Sequence, residues 1–174
     1  MADPLPFTIT SLTDVDRLVL PDPETQGRLP VIYETIKGLS EYAKQTLPVL
    51  GLIEGPFTVI NRIFEPGLIM RMLYKNPAVV EALLDKITGF LVKTARIMID
   101  HGANMIFLPE PMASGAMISP DMFNRFVLPR LQTVLSRLPV PSLLHICGDI
   151  FLTLEAVGKA GAPILSLDQC MDLK

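Results

Sequence analysis

The chain has no tryptophan, only two cysteines and only two histidines among 174 residues. So few cysteines, behind an N-terminus without the basic and apolar regions of a secretory signal, exclude a disulfide scaffold. Cys147 and Cys170 are therefore expected to be free thiols or metal ligands. The G-x-G-x-x-G, P-loop and G-x-S-x-G patterns are also missing, which weighs against nucleotide binding and serine hydrolysis.

Positive charge and long uncharged segments are scarce as well. The chain has 15 Lys and Arg against 18 Asp and Glu, for a net charge of -3, and the basic residues are scattered. Nucleic acid is therefore not expected as a partner. The longest stretch without a charged side chain runs from Leu138 to Gly148, well short of the roughly 20 residues of a membrane-spanning helix. We expect a cytoplasmic protein with no membrane partner.

The composition is that of a packed domain. Hydrophobic residues make up 49% of the chain and charged residues 19%, so disorder is excluded as its main state. A single domain over 1–174 is predicted, with an N-terminal arm over 1–28 and βα units over 29–174. The arm is rich in Pro, Asp and Thr and is expected at the surface, with one helix from Leu12 to Leu18 and capping-box spacing at Ser11 and Asp14.

Apolar segments of strand length and of helix length alternate along the rest of the chain. Four buried strands are predicted at 49–53, 105–108, 142–146 and 164–167. Among the predicted helices, one over 29–45 places Ile32, Ile36 and Leu39 on one face, and one over 77–100 is capped by Asn76. Such alternation indicates parallel strands with helical crossovers, hence an α/β fold. Because a barrel of eight βα units needs roughly 250 residues, four strands indicate a small open sheet or part of a barrel.

The segment LLHICGDI carries the clearest candidate site. Side chains alternate between the faces of a strand, so His145 and Cys147 point the same way and can bind one ion. Imidazole and thiolate together suit zinc, although a tetrahedral metal needs more ligands. The alternative is that Cys147 is a small buried hydrophobic residue and His145 a hydrogen-bonded core histidine.

Further polar residues follow the other predicted strands. Glu110 follows the strand MIFL, and Asp168 and Cys170 follow ILSL, again two residues apart. The carboxyl ends of parallel strands meet at one edge, where functional sites are built. Glu110 could equally be a solvated loop carboxylate or a helix cap, and Asp168 a cap on the chain after it. His101, beside Gly102 at a helix end, is expected to have a structural role.

Six motifs in order resemble the uroporphyrinogen decarboxylase superfamily over nearly the whole chain: ITSLTDVDRLVLPDPE, EGPFT, NPAVVEALLDKIT, ISPDMFNRFVLPRL, HICGDI and GAPILSLDQCMDL. The H-x-C pair resembles the corrinoid-dependent methyltransferase branch, which includes methylcobamide:coenzyme M methyltransferases. The resemblance implies a (β/α)8 TIM barrel, of which this chain is expected to be an incomplete part with about four parallel strands and flanking helices.

The resemblance also implies an activity. Zinc would activate a thiol, such as coenzyme M, to accept a methyl group from methylcobamide carried on a partner corrinoid protein; a folate is the other acceptor considered. His145 and Cys147 match the family's neighbouring zinc ligands, and Glu110 is a candidate further ligand or polar neighbour. The family's remaining cysteine ligand lies in a Gly-Cys-Gly segment beyond Lys174. Cys170 does not match that motif, but could substitute as a ligand from the next strand.

Two other interpretations remain open. One is a uroporphyrinogen decarboxylase of porphyrin biosynthesis, which would use no metal and would need basic groups for its substrate's carboxylates. The other is a non-catalytic fragment of the fold. An incomplete barrel would leave two unpaired sheet edges that favour self-association, and we expect the chain alone to have little or no methyltransferase activity.

Overall fold

A computed structural model describes residues 9–44 and 46–172. Eight α-helices and four strands are assigned within these ranges. Their bounds are α1 Leu12–Arg17, α2 Leu29–Ala43, β1 Leu50–Leu52, α3 Pro56–Ile63, α4 Pro66–Lys75, α5 Pro77–Asp100, β2 Met105–Pro109, α6 Pro120–Met122, α7 Leu128–Ser136, β3 Ser142–His145, α8 Leu154–Gly158 and β4 Ile164–Ser166. No helix among the described residues is both long and apolar enough to cross a lipid bilayer.

The four strands form one parallel sheet in the order β1-β2-β3-β4. Each strand was predicted to within one or two residues. Helices cover one face of the sheet, where Ile106, Leu108 and Leu144 are fully buried. The fold class predicted from the sequence, α/β with about four parallel strands and flanking helices, is confirmed.

The two faces of the sheet are unequally covered. On β1, Gly51 faces α5 so closely that an added Cβ would lie 3.0 Å from Ile106 Cδ1 and 3.1 Å from Met98 Sδ. Its neighbours Leu50 and Leu52 point to the opposite face and are 42% and 53% exposed. Within the described residues, β1 and β4 are both edge strands. His145 lies on this less covered face, because it alternates with the buried Leu144.

The N-terminal arm is not confined to the surface, contrary to the prediction. Helix α1 has the expected capping box between Ser11 and Asp14. However, Ile9 and Val15 are buried in the main core, and the Lys86 ammonium on α5 donates a hydrogen bond to the Val15 carbonyl at 2.7 Å. The arm is polar in composition, as predicted. Its few apolar side chains nevertheless pack into the core and, with the Lys86 hydrogen bond, hold α1 against α5. Residues 1–8 of the predicted arm lie outside the described residues.

Helix α2 buries a different face from the one predicted. Ile36 is buried, but Ile32 and Leu39 are exposed, and Tyr33 is buried in their place. The Tyr33 ring stacks on His101 with centroids 5.3 Å apart, and its hydroxyl donates to the Pro23 carbonyl at 2.8 Å. These contacts determine how the helix is rotated about its axis. The predicted end of this helix at Gln45 lies outside the described residues.

Helix α5 spans the predicted 77–100 and buries the predicted face, which includes Val80, Leu83, Leu84, Ile87 and Leu91. The predicted side-chain cap is wrong, however. Asn76 makes no capping hydrogen bond; its Nδ2 instead donates to the Thr10 carbonyl at 3.4 Å. The residue therefore ties the N-terminal segment to the start of α5.

The helical segment just before Pro129 is interrupted. A π-helical turn over Phe123–Val127 separates α6 from α7, and Phe123, Phe126 and Val127 in it are buried. Proline has no N–H to continue an α-helical hydrogen-bond pattern, which accounts for a wider turn just before it. After β3, a 3₁₀ turn at Phe151–Thr153 precedes the short α8.

Candidate functional site

His145 and Cys147 lie together at the carboxyl end of β3. His145 is the last residue of the strand, and its Nε2 is 3.3 Å from the Cys147 Sγ. Both side chains are half-buried. The alternation of side chains along an extended chain accounts for this contact, since residues two apart share a face.

The imidazole of His145 is held from its other side by β4. Its Nδ1 lies 3.1 Å from the Ser166 carbonyl and 3.0 Å from the Ser166 hydroxyl. A carbonyl can only accept, so this contact places a proton on Nδ1, and in the neutral form of the ring the lone pair is then on Nε2. The lone pair then faces the Cys147 thiol. Metal-binding histidines commonly show this arrangement, with the second nitrogen bound to a backbone carbonyl.

Asp168 connects β4 to the loop after Cys147. Its carboxylate accepts hydrogen bonds from the backbone N–H groups of Gly148 and Gln169, both at 2.7 Å. The Gly148 N–H contributes most to lowering the pKa of Asp168 below its usual value, and the nearby His145 adds to the effect. Gly148 has a φ of +76°, a backbone conformation that glycine adopts without strain. Asp168 thus fixes the turn that immediately follows the Cys147 thiol.

Glu110 is fully buried and turned toward α3. Its carboxylate accepts hydrogen bonds from Phe57 N at 3.1 Å, from Thr58 N at 2.6 Å and from the Thr58 hydroxyl. Its backbone N–H donates to the His145 carbonyl at 2.8 Å. Burial raises the pKa of Glu110 to about 7, against the lowering effect of the Thr58 and Phe57 hydrogen bonds.

The environment of Glu110 matches the helix-cap interpretation rather than the solvated loop. Both carboxylate oxygens accept from the first turn of α3, where backbone N–H groups lack helical partners. The geometry gives no support to Glu110 as a metal ligand beside His145. The residues that sequence reasoning missed are Gly55, Phe57 and Thr58, more than fifty positions away from Glu110 along the chain.

Cys170 is an exposed free thiol, whereas Cys147 is half-buried. It lies in a turn closed by a hydrogen bond from Met171 N to the Asp168 carbonyl at 3.1 Å. Over residues 9–44 and 46–172, no three His, Cys, Asp or Glu side chains are grouped to hold a metal ion. The structure therefore brings His145 and Cys147 together and adds neither Glu110 nor Cys170 to them.

A cavity of about 810 Å³ opens beside these loops. The segments that follow β2 and β3 line it, together with the end of α4; Met117, Ile118, Ile150 and Tyr74 are among its residues. Its lining is largely apolar. One sequence feature could have indicated the cavity, a large apolar side chain at Met117 in the segment after β2. Met117 is 43% exposed and lines the cavity.

Parallel strands with helices on one face and polar side chains at the strand ends define this as an α/β protein of the barrel type. The uroporphyrinogen decarboxylase (URO-D) family matches residues 5–174. The chain belongs to that family.

Relatives with two activities resemble the chain. A methylated-thiol–coenzyme M methyltransferase of Methanosarcina mazei is 31% identical over 94% of this chain and 45% of its own length. A uroporphyrinogen decarboxylase of Geobacter metallireducens is 31% identical over 95% of this chain and 50% of its own. A solved structure, a methyltransferase from Methanosarcina mazei, has a TM-score of 0.79 at 33% identity, over 82% of this chain and 42% of its own. The chain spans about half the length of the curated relatives it matches.

Proposed function

We propose that this chain provides the His-Cys part of the active site of a corrinoid-dependent methyltransferase. The reaction is transfer of a methyl group from methylcobamide on a partner corrinoid protein to a small thiol such as coenzyme M; a folate is the alternative acceptor. The contact between His145 Nε2 and Cys147 Sγ carries this proposal. Names of relatives support it, since several are methylcobamide:CoM methyltransferases.

The donor pair fits zinc. Imidazole nitrogen and thiolate sulfur are both common zinc ligands, and Nδ1 of His145 is already bound to Ser166 so that Nε2 is available. Two protein ligands leave the coordination sphere incomplete, and further donors must come from outside this pair. When bound, zinc would act as a Lewis acid that lowers the pKa of the thiol acceptor.

The surrounding residues hold the pair in place. Ser166 orients the imidazole, and Asp168 holds the Gly148 amide and with it the loop that follows Cys147. Glu110 secures α3 against the end of β2, and its backbone N–H donates to the His145 carbonyl. We assign positioning roles to Asp168 and Glu110, and the open edge beside the cavity is the side from which acceptor and partner approach.

Zinc binding tests the proposal directly. The chain is titrated with Zn²⁺ and bound metal is measured after gel filtration. We expect His145→Ala and Cys147→Ser each to lower zinc affinity by more than the roughly 10- to 100-fold that is typical of losing a residue that only orients a ligand. His101→Ala is the matched control, because His101 Nδ1 bonds the Ile97 carbonyl at the other end of the strands. Equal affinity in all variants would refute the zinc site.

Cys170 and activity need separate measurements. If Cys170→Ser lowers zinc affinity as Cys147→Ser does, Cys170 is a third ligand; unchanged affinity removes that role. We further expect the 174-residue chain alone to methylate coenzyme M from methylcobalamin little or not at all. Efficient transfer by the purified chain would contradict that expectation.

Uroporphyrinogen decarboxylase is the second candidate, favoured by decarboxylase relatives at 30–31% identity. This alternative predicts no metal at His145 and Cys147. The zinc titration therefore distinguishes the two: binding that depends on both residues supports the methyltransferase, and binding independent of them favours the decarboxylase or a fragment without a working site.

A further inference from the structure

The less covered face of the sheet is apolar. The strand registers place one large apolar side chain from each strand in a single row across it: Leu52, Phe107, Leu143 and Ile164. Leu52 is 53% exposed and Ile164 is 38% exposed, at the two ends of the row. Parallel sheets are found almost only with both faces covered, so we expect a second layer to pack on this row.

The outer edge of β1 has backbone groups directed away from the sheet. The Val49 carbonyl and the Ile53 N–H are both hydrogen-bonded to the β2 segment. Because backbone groups alternate in direction along a strand, those of Leu50 and Leu52 point to the other side. Within the described residues, β1 and β4 are the edges of the sheet. Such edges can pair with a further strand.

Helix α2 has an apolar stripe that faces solvent. Ile32, Leu39 and Tyr42 recur at helical spacing and are 41%, 51% and 84% exposed. The helix leads directly into β1, and helices of a parallel barrel form an outer ring over the strands. The stripe is therefore placed to cover the outer face of a strand that pairs with β1. Leu165 on β4 has such an uncovered position, since it pairs with the buried Leu144 but is itself 37% exposed.

The accessible surface of the chain is large for its mass. It measures 9782 Å² for 19.2 kDa, whereas a folded monomer of this mass is expected to expose about 8,400 Å². The excess of roughly 1,400 Å² is more than the about 800 Å² that each partner buries in a stable interface of standard size. One chain therefore has enough surplus surface for a stable dimer.

We propose that two copies of this chain close one eight-stranded parallel barrel, in which β1 of each copy pairs with β4 of the other. A two-fold axis along the barrel keeps all strands parallel and joins unlike edges at both junctions. Four strands from each copy give the eight at which a barrel is filled by its own side chains. Leu52 then lies near Ile164 of the second copy, and α2 covers that copy's Leu165. The proposal rests on the fold and is independent of the proposed chemistry.

The mass of the 174-residue chain in solution tests this arrangement, by light scattering after gel filtration over a wide range of concentration. We expect about twice the 19.2 kDa of one chain. Leu52→Lys and Ile164→Glu each bury an unpaired charge at both junctions and should raise the dimer Kd at least about tenfold. Leu12→Lys is the matched control, because Leu12 is 52% exposed on α1, which packs on α5. Its dimer should be unchanged.

Mixing the two charged variants tests which edges meet. A mixed dimer has opposite introduced charges at one junction and the original residues at the other, so we expect mixing to restore the dimer. Circular dichroism verifies that each variant is folded. A chain that is monomeric at every concentration would overturn the proposal and favour a cover from a longer polypeptide. A dimer that neither variant weakens, or that mixing does not restore, would also overturn it, because like edges or two stacked faces would then form the contact.

Discussion

Glu110 and Asp168 each follow a strand, and each accepts hydrogen bonds from backbone N–H groups of another segment. Their pKa values nonetheless shift in opposite directions. Burial raises the pKa of Glu110 to about 7, whereas hydrogen bonding, led by the Gly148 N–H, lowers that of Asp168. Similar donors therefore do not give similar chemistry; solvent access decides which effect is larger.

The same difference in solvent access separates the carboxyl end of β2 from the carboxyl ends of β3 and β4. At the end of β2, the Glu110 carboxyl group is buried against α3 and hydrogen-bonds its first turn. At the β3 and β4 ends, Asp168, His145 and Cys147 remain partly open to solvent. The two environments are connected, because the backbone N–H of the buried Glu110 donates to the His145 carbonyl.

Removing the buried carboxyl group is expected to have the largest effect. Glu110→Ala leaves Phe57 N, Thr58 N and the Thr58 hydroxyl without their acceptor in a dry site. We expect a loss of about 4 kcal/mol in the free energy of unfolding, measured by urea denaturation. Glu110→Gln is the control with nearly the same volume. A loss under 1 kcal/mol for the alanine variant would show that the α3 contacts contribute little.

The raised pKa of Glu110 also predicts how stability depends on pH. The folded chain keeps the proton up to about pH 7, while the unfolded chain releases it near 4.5. The Glu110 proton is thus held more tightly in the folded state than in the unfolded state. Its contribution to the free energy of unfolding is fully present below pH 4.5 and is lost as the pH rises to 7. We expect a decline of about 3 kcal/mol, followed by urea denaturation at several pH values. Glu110→Gln should flatten the curve, and a wild-type curve that rises over this range would contradict burial as the dominant cause.

The backbone at Gly55 lies so close to the Glu110 side chain that a larger residue at position 55 is expected to destabilise the fold. A Cβ on Gly55 would collide with Glu110 Oε2 and lie 3.0 Å from Glu110 Cβ. We expect Gly55→Ala to cost about 2 kcal/mol of stability through displacement of the carboxyl group. In the Glu110→Ala background the same change should cost much less, because the collision is gone. Gly38→Ala, with nothing within 4 Å of the added Cβ, is the control; additive effects would contradict the collision.

The sequence predicted what depends on local periodicity. Strand positions follow from short apolar segments between Pro and Gly, and the contact of His145 with Cys147 follows from side-chain alternation. The partners of Glu110 could not be predicted in this way. Phe57 and Thr58 lie on α3, and they reach Glu110 only because β1, which precedes α3, pairs with β2. Local patterns show which face a residue takes, but not what the fold brings against it.

Helix α2 shows a second limit of sequence reasoning. Several of its faces carry apolar side chains, and periodicity could not distinguish Ile32 and Leu39 from Tyr33. The buried face of α2 is determined by the Tyr33 hydroxyl, which donates to the Pro23 carbonyl, and by stacking of the Tyr33 ring on His101. Both contacts join segments distant in sequence. The predicted structural role of His101 agrees with its bond to the Ile97 carbonyl.

The smallest expected effect completes the comparison at the exposed end. Asp168→Asn keeps the size of the side chain but replaces a charged acceptor of the Gly148 and Gln169 N–H groups. Because this carboxylate is partly exposed to solvent, we expect only a small drop in Tm at pH 7, far below that of Glu110→Ala. The lowered pKa of Asp168 contributes stability above its ordinary value of 3.8 that is lost as pH falls. The variant should therefore lose less stability on acidification than the wild type, as thermal melts at pH 7 and pH 3 would measure. A large drop at pH 7 would mean that Glu110 after β2 and Asp168 after β4 contribute more equally to stability than their solvent access indicates.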